Sequence, residues 1–241
     1  MTPRDANGLQ FAELALSRWT SFPIADPRPI VLMHDPVLVT AGFNTGDAKI
    51  ALHYGLVVAH NSVAEEPLRT IRACGAHRTD QRISSPLEVV SATHSRTSFL
   101  SDRGPALLSA WELVALDALG PIWVLDDSTL ARCWVPPVVP EGEQQGWHLL
   151  NSVTIGPDDR ELTVVFTGSP PGFYDYEAAV LESDSAVTVL PMPRLIVELP
   201  DGSAFRPVGV LRQISATLSR PLGNRVLVDN DASPVPVVRR A

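Results

Sequence analysis

The chain has 241 residues, 45% of them hydrophobic, enough apolar content for one large core or two modest ones. Its 27 acidic residues outnumber 19 basic ones for a formal charge of -8, and the closing pair Arg239 and Arg240 is too short for a basic arm. That balance argues against non-specific nucleic-acid binding, which needs concentrated positive charge. The opening stretch MTPRDANGLQFAELALSRW holds no apolar run of signal-peptide or membrane length, so a cytoplasmic protein with no membrane partner is the expectation. Cys74 and Cys133 lack C-x-x-C spacing and read as small buried hydrophobes rather than a disulfide framework.

In chain order, the pattern predicts a first helix from Leu9 to Trp19. Asn7 stands at its cap, and a stripe through Phe11, Leu14, Ala15 and Arg18 can dock on a sheet. The proline-rich stretch from Phe22 to Pro29 ends it. Pro29–His34 and Val37–Ala41 read as short strands, Gly42–Asp47 as a turn, and Lys49–Ala59 as a strand bent at Gly55. Pro67–Cys74 reads as a short helix closed by Gly75, and Leu87–Ala92 as a strand. The clearest helical period is Gly104–Gly120, with Leu107, Leu108, Trp111, Val114, Ala115, Ala118 and Leu119 on its apolar positions and Ser101 or Asp102 as cap. Pro121–Asp127 and Leu130–Val135 follow as strands joined by a tight connection through Asp126–Thr129.

The segment Pro136–Gly146 is rich in proline, glycine and glutamine, and reads as a domain boundary or as a long surface loop. Beyond it the period becomes two. One hairpin is predicted around Gly156–Asp159 and a second around Glu182–Ser185, with further strands at Arg194–Leu199, Phe205–Val210, Arg212–Ser219 and Arg225–Asp229. Pro221–Asn224 and Asn230–Ser233 suit turns, and Val235–Val238 suits an edge because Pro236 cannot donate to a ladder. The expected class is α+β, mainly β. An α+β region over 1–140 precedes an all-β sandwich or partly open barrel over 147–241.

RELTVVFTGSPPGFYDYEAAVLESDSAVTVLP (Arg160–Pro191) and LSRPLGNRVLVDNDASPVPV (Leu218–Val237) together carry a resemblance. Residues 147–238 resemble a small β module of uncharacterised actinobacterial proteins, several of them lipoproteins. The shared features are a glycine-proline turn at Gly168–Gly172, an acidic strand at Glu177–Glu182, a hairpin at Pro221–Asp229 and the Pro234–Val237 end. The cysteines that such relatives often carry are absent here. The resemblance implies a β fold and brings no catalytic assignment.

Five histidines, His34, His53, His60, His77 and His94, fall in the first half, and His148 stands beside Trp147. A metal site from His34, His53, His60 and His94 requires that these side chains converge, and no short ligand signature supports it. Ser91–Asp102 is rich in hydroxyls, and a hydrolase reading takes His94 as base, Ser95 as nucleophile and Asp102 as orienting acid. The nucleophile-elbow pattern is missing, and Gly42–Gly46 lacks the phosphate-loop spacing. Phe173, Tyr174 and Tyr176 follow the flexible stretch Thr167–Gly172 and form a candidate contact patch. The reading that follows is non-enzymatic binding of a protein or peptide, with no cofactor. Its alternatives are a hydrolase or metal-dependent enzyme built on the histidine-rich half, and a structural subunit acting only in self-association or assembly.

Overall fold

A computed structural model describes residues 3–60, 63–75, 85–134, 150–172, 174–196 and 209–240, with side chains from residue 8 onward. The elements in order are α1 (Pro3–Arg18), β1 (Ile30–Val31), β2 (Val37–Val39), α2 (Gly46–His53), β3 (Val57–Ala59), α3 (Glu65–Gly75), β4 (Leu87–Ser101), β5 (Gly104–Ala115), β6 (Ile122–Leu125), α4 (Asp127–Leu130), β7 (Cys133–Trp134), β8 (Leu150–Ile155), β9 (Glu161–Gly168), β10 (Tyr174–Glu182), β11 (Ala186–Leu195), β12 (Val210–Thr217), β13 (Val226–Val228) and β14 (Val237–Arg239). The class is α+β and mainly β, as expected.

The backbone contacts form two compact units. The first comprises residues 1–31, 102–104 and 134–241; the second comprises 32–101 and 105–133. The sequence-based division near residue 140 puts residues 1–31 with the N-terminal region, whereas the contacts group them with the C-terminal strands. The proposed linker Pro136–Gly146 lies outside the described residues.

In the first unit, a four-stranded sheet of order β12-β9-β8-β14 faces a three-stranded sheet of order β10-β11-β13. Val153, Ile155, Leu162, Val164, Phe166, Ile214 and Ala216 from the larger sheet meet Val187, Val189 and Leu227 from the smaller. Strand alternation sends Ala186, Val226 and Val228 to the opposite face, where they meet Ala15, Leu16, Trp19 and Phe22 from α1 and the residues after it. Both faces of β11 and β13 are therefore buried, which accounts for their near-continuous apolar runs. Both predicted hairpins are present, as β8–β9 and β10–β11. Helix α1 begins at Pro3, so Asn7 lies within it and not at its cap.

In the second unit, a five-stranded sheet runs in order β2-β6-β5-β4-β3, with Ala48 and Ala51 of α2 and Leu68 and Ile71 of α3 packed on one face. Three expectations fail here. The segment expected as the clearest helix is strand β5, and Ser101 and Asp102 cap no helix. Its Leu108 and Ala110 are buried, and after a switch of face so are Leu113 and Ala115; that double alternation mimics helical spacing. Pairing with β4 and β6 overrides the helix propensity of its leucines and alanines.

The strand expected from Lys49 is mostly helix α2. Thr45 caps it, accepting from Ala48 N at 3.1 Å, and Ala48 and Ala51 rather than Ile50 point inward. The third failure is at Leu130, which belongs to the single-turn helix α4 instead of a strand. Gly55 and Gly75 let the ends of α2 and α3 touch: a Cβ on Gly75 stands 2.2 Å from the Tyr54 carbonyl carbon, and one on Gly55 2.8 Å from Arg72 Cα. Gly55 also has φ of +68°, open to glycine at low cost.

Candidate functional site: the open edge of strand β2

Strand β2 ends its sheet, with β6 as its neighbour on one side. Pro36 opens the strand, and its carbonyl accepts from Leu125 N at 3.0 Å; at the far end the Gly42 carbonyl accepts from Leu119 N at 2.9 Å. The register between those bonds is unbroken, through Val37 opposite Val124 and Val39 opposite Ile122 to the bridge of Phe43 with Ala118. In an antiparallel ladder alternate residues turn their N–H and C=O to opposite sides. With Pro36 and Gly42 turned toward β6 and its continuation, Val37, Val39 and Ala41 turn their backbone groups outward. Among the described residues, no backbone partner meets those of Val37 and Val39.

The same parity puts the side chains of Asp35, Val37, Val39, Ala41 and Phe43 on one face, where all five line an open groove of about 600 Å³. Leu52, Ile71 and Cys74 from α2 and α3 form its apolar wall, and Lys49 and His53 bring basic groups to it. Helices α2 and α3 lie against β3, β4 and β6. A row of backbone donors and acceptors with no partner among the described residues, beside an apolar groove, is suited chemically to pairing with an extended chain.

His94, on β4, is half exposed. Its Nε2 lies 2.8 Å from Oδ2 of Asp126, and its ring meets Trp111 edge-on at 5.2 Å. Asp126 caps α4, its Oδ1 accepting from Thr129 N at 2.7 Å and from Ser128 Oγ at 2.9 Å. Burial pushes this carboxyl's pKa upward, but the bonds from His94, Thr129 and Ser128 outweigh it and bring the pKa down to about 2. Asp126 is thus an anion at neutral pH, and an anionic carboxylate only accepts, so Nε2 carries the proton.

The expected combination of His94, Ser95 and Asp102 is not assembled. Ser95 follows His94 along an extended strand and projects from the other face. Asp102 lies beyond the end of β4, roughly 25 Å along the chain from His94 at strand rise. Its carboxylate is buried against Arg28, which holds both oxygens, and Arg103. Asp126, expected in a tight connection between strands, is instead a helix cap, and its position three residues before Thr129 in D-D-S-T is the spacing of one.

Among the described residues, no three His, Cys, Asp or Glu side chains are grouped to hold a metal ion, so His34, His53, His60 and His94 do not converge. His53 ends α2, stacked edge-on with Tyr54 at 5.1 Å. His34 precedes β2, and His60 follows β3 with its backbone N–H bonded to Val89 O.

Of the aromatic patch, Phe173 lies outside the described residues. Tyr174 is half-buried. Tyr176 packs edge-on to Phe166 at 4.9 Å, accepts from Ser169 N through its hydroxyl at 2.8 Å, and lies under the Arg212 guanidinium. Its ring and hydroxyl are committed to the fold.

No protein-family model, curated protein or solved structure matches this chain. Among the described residues, no helix is long and apolar enough to cross a membrane.

Proposed function

We propose that the protein binds an extended peptide segment, which adds as a strand to β2 and sends alternate apolar side chains into the adjoining groove. The outward-facing backbone of Val37 and Val39 beside that groove is the observation that carries this reading. The two residues offer up to four main-chain hydrogen bonds. At about 1 kcal/mol net each, these fall short of the roughly 8 kcal/mol of micromolar affinity. The apolar groove supplies the remainder, and it therefore sets which sequences bind.

Val39→Pro tests the reading, because it deletes one outward N–H while keeping the strand; proline is tolerated on a free edge. Titration of valine- and threonine-rich hexapeptides, followed through backbone amide NMR signals, is expected to shift Val37 to Thr45 in the native chain and much less in the variant. Unchanged binding in Val39→Pro rules out strand addition.

A second reading rests on the His94–Asp126 pair. An imidazole polarised by a buried anion and half open to solvent is equipped to abstract a proton. Hydrolysis of activated esters that is lost in His94→Gln while the fold is retained supports that reading, and equal rates in both proteins exclude it.

A further inference from the structure

The groove beside β2 carries a lysine that forms no ion pair among the described residues, and this inference rests on the strand-addition reading of that site. Lys49 is the single lysine in the chain. Helix α2 directs it to the groove: its neighbour Ala48 and the next-turn Ala51 are buried in the core, which leaves Lys49 on the exposed side facing the lining residues. On the adjacent helix α3, Arg69 is paired with Asp127 and Arg72 with Glu65. Lys49 has no such ion pair among the described residues. The other residues of the lining are mostly apolar, with Asp35 at the start of β2 as its carboxylate.

We propose that the bound segment carries an acidic side chain that pairs with Lys49 while its apolar neighbours enter the groove. A like charge facing Asp35 is repelled, so a single acid is favoured, in the part of the segment that reaches α2 and away from the start of β2. The groove is open, and the outward-facing positions continue past Val39 to Ala41 and Phe43, so the chain passes along β2 instead of ending there; the acid is a glutamate or aspartate side chain within the segment.

The lone lysine makes a direct test available. Reductive ¹³C-methylation keeps its charge and gives one side-chain signal, distinct from the terminal amine. The probes are acetylated, amidated hexapeptides alternating valine with threonine, with glutamate or glutamine walked through the threonine positions. One glutamate peptide is expected to shift the Lys49 methyl signal and to bind about two- to five-fold more tightly than its glutamine counterpart, the scale of an exposed ion pair. That preference is expected to vanish in Lys49→Gln and in 1 M salt, where the screening length falls to about 3 Å. Equal affinity of glutamate and glutamine peptides, with the Val37 and Val39 amides still shifting, overturns the role of Lys49 and leaves strand addition standing. Peptides that leave the β2 amides unmoved overturn both. The same peptides left unamidated serve as a control, and binding confined to them overturns the side-chain assignment.

Discussion

The imidazole of His94 donates from Nε2 to Oδ2 of Asp126 over 2.8 Å, and the other oxygen of that carboxylate caps α4 through Thr129 N. One buried anion thus orients an exposed base and holds a helix start.

Asp126→Ala removes both functions, and loss of the cap alone costs about 0.5–2 kcal/mol. The native pKa of about 2 lies below the ordinary 3.8. Asp126 therefore contributes stability that is present above about pH 4 and is lost as the pH falls toward 2. Urea unfolding at a series of pH values is expected to show that acid decline in the native chain and a flatter one in Asp126→Ala.

Asp229 runs in the opposite direction. Burial raises its pKa from 3.8 to about 6, against the lowering effect of a backbone bond from Ser233. Between about pH 4 and 6 the folded state holds a proton that the unfolded state has released, so this group makes stability fall as the pH rises. Its Oδ1 accepts from Asp231 N and Ser233 N, each at 2.9 Å, and an asparagine oxygen can take the same bonds. Asp229→Asn is expected to stabilise the protein at pH 7 by roughly 1–3 kcal/mol and to leave it little changed near pH 4. Destabilisation at pH 7 contradicts this assignment.

Trp19 binds the sequence-distant ends of the first unit together. It is fully buried, and its indole N–H donates to the Ala232 carbonyl at 2.8 Å. Trp19→Phe leaves that carbonyl unpaired at a cost of about 1–3 kcal/mol. Trp19→Ala costs about 3–5 kcal/mol, chiefly through the cavity. Hydrogen exchange is expected to show lost protection in both α1 and the strands β13 and β14; a loss confined to α1 argues against their forming one cooperative unit.

Arg225 is buried after the Pro221–Asn224 turn, which passes from β12 to β13 in the other sheet instead of closing the expected hairpin; it pairs with Glu182 at 2.6 Å and donates to the carbonyls of Arg220 and Pro221. Arg225→Ala strands the Glu182 carboxylate and the two carbonyls, and is expected to cost about 3–5 kcal/mol. Glu182→Gln in the same chain is expected to recover part of that loss, and a double-mutant cycle in denaturant measures the coupling. Strict additivity means that the pair contributes no interaction of its own.

How far the fold could be read depended on how local its causes were. β9 alternates strictly, the β8–β9 and β10–β11 hairpins each close on a polar turn, and Gly223 in the Pro221–Asn224 turn has the positive φ of +53° that such a turn invites. Trp111 and Leu113, by contrast, sit in a segment whose leucines and alanines favour helix. Only the hydrogen bonds available on either side, from β4 and β6, make it a strand. Ile50 and Leu56 suggested alternation but are exposed, while the Thr45 cap and the Ala48–Ala51 spacing were the quieter and truer signals.

The candidate site was less legible than the fold. Val37 and Val39 read as an ordinary short strand, because the side of a strand that stays unpaired is set by sheet order and register. Lys49 stood out by its rarity, yet only α2 brings it to the groove. Asp102 is nearer His94 in sequence, but an extended strand separates neighbours by about 3.3 Å per residue, whereas the sheet brings Asp126 within hydrogen-bond distance.

By itself the sequence determined the class, the hairpins and their turns, and the absence of a nucleotide loop or nucleophile elbow, since each follows from short-range periodicity, backbone freedom or motif spacing. The tertiary structure alone decided that α1 packs with the C-terminal strands, that His94 pairs with Asp126, and that β2 ends its sheet among the described residues, beside the groove that Lys49 lines. Those are long-range outcomes, settled where burial and hydrogen bonding are satisfied over the whole unit and local preference is overruled.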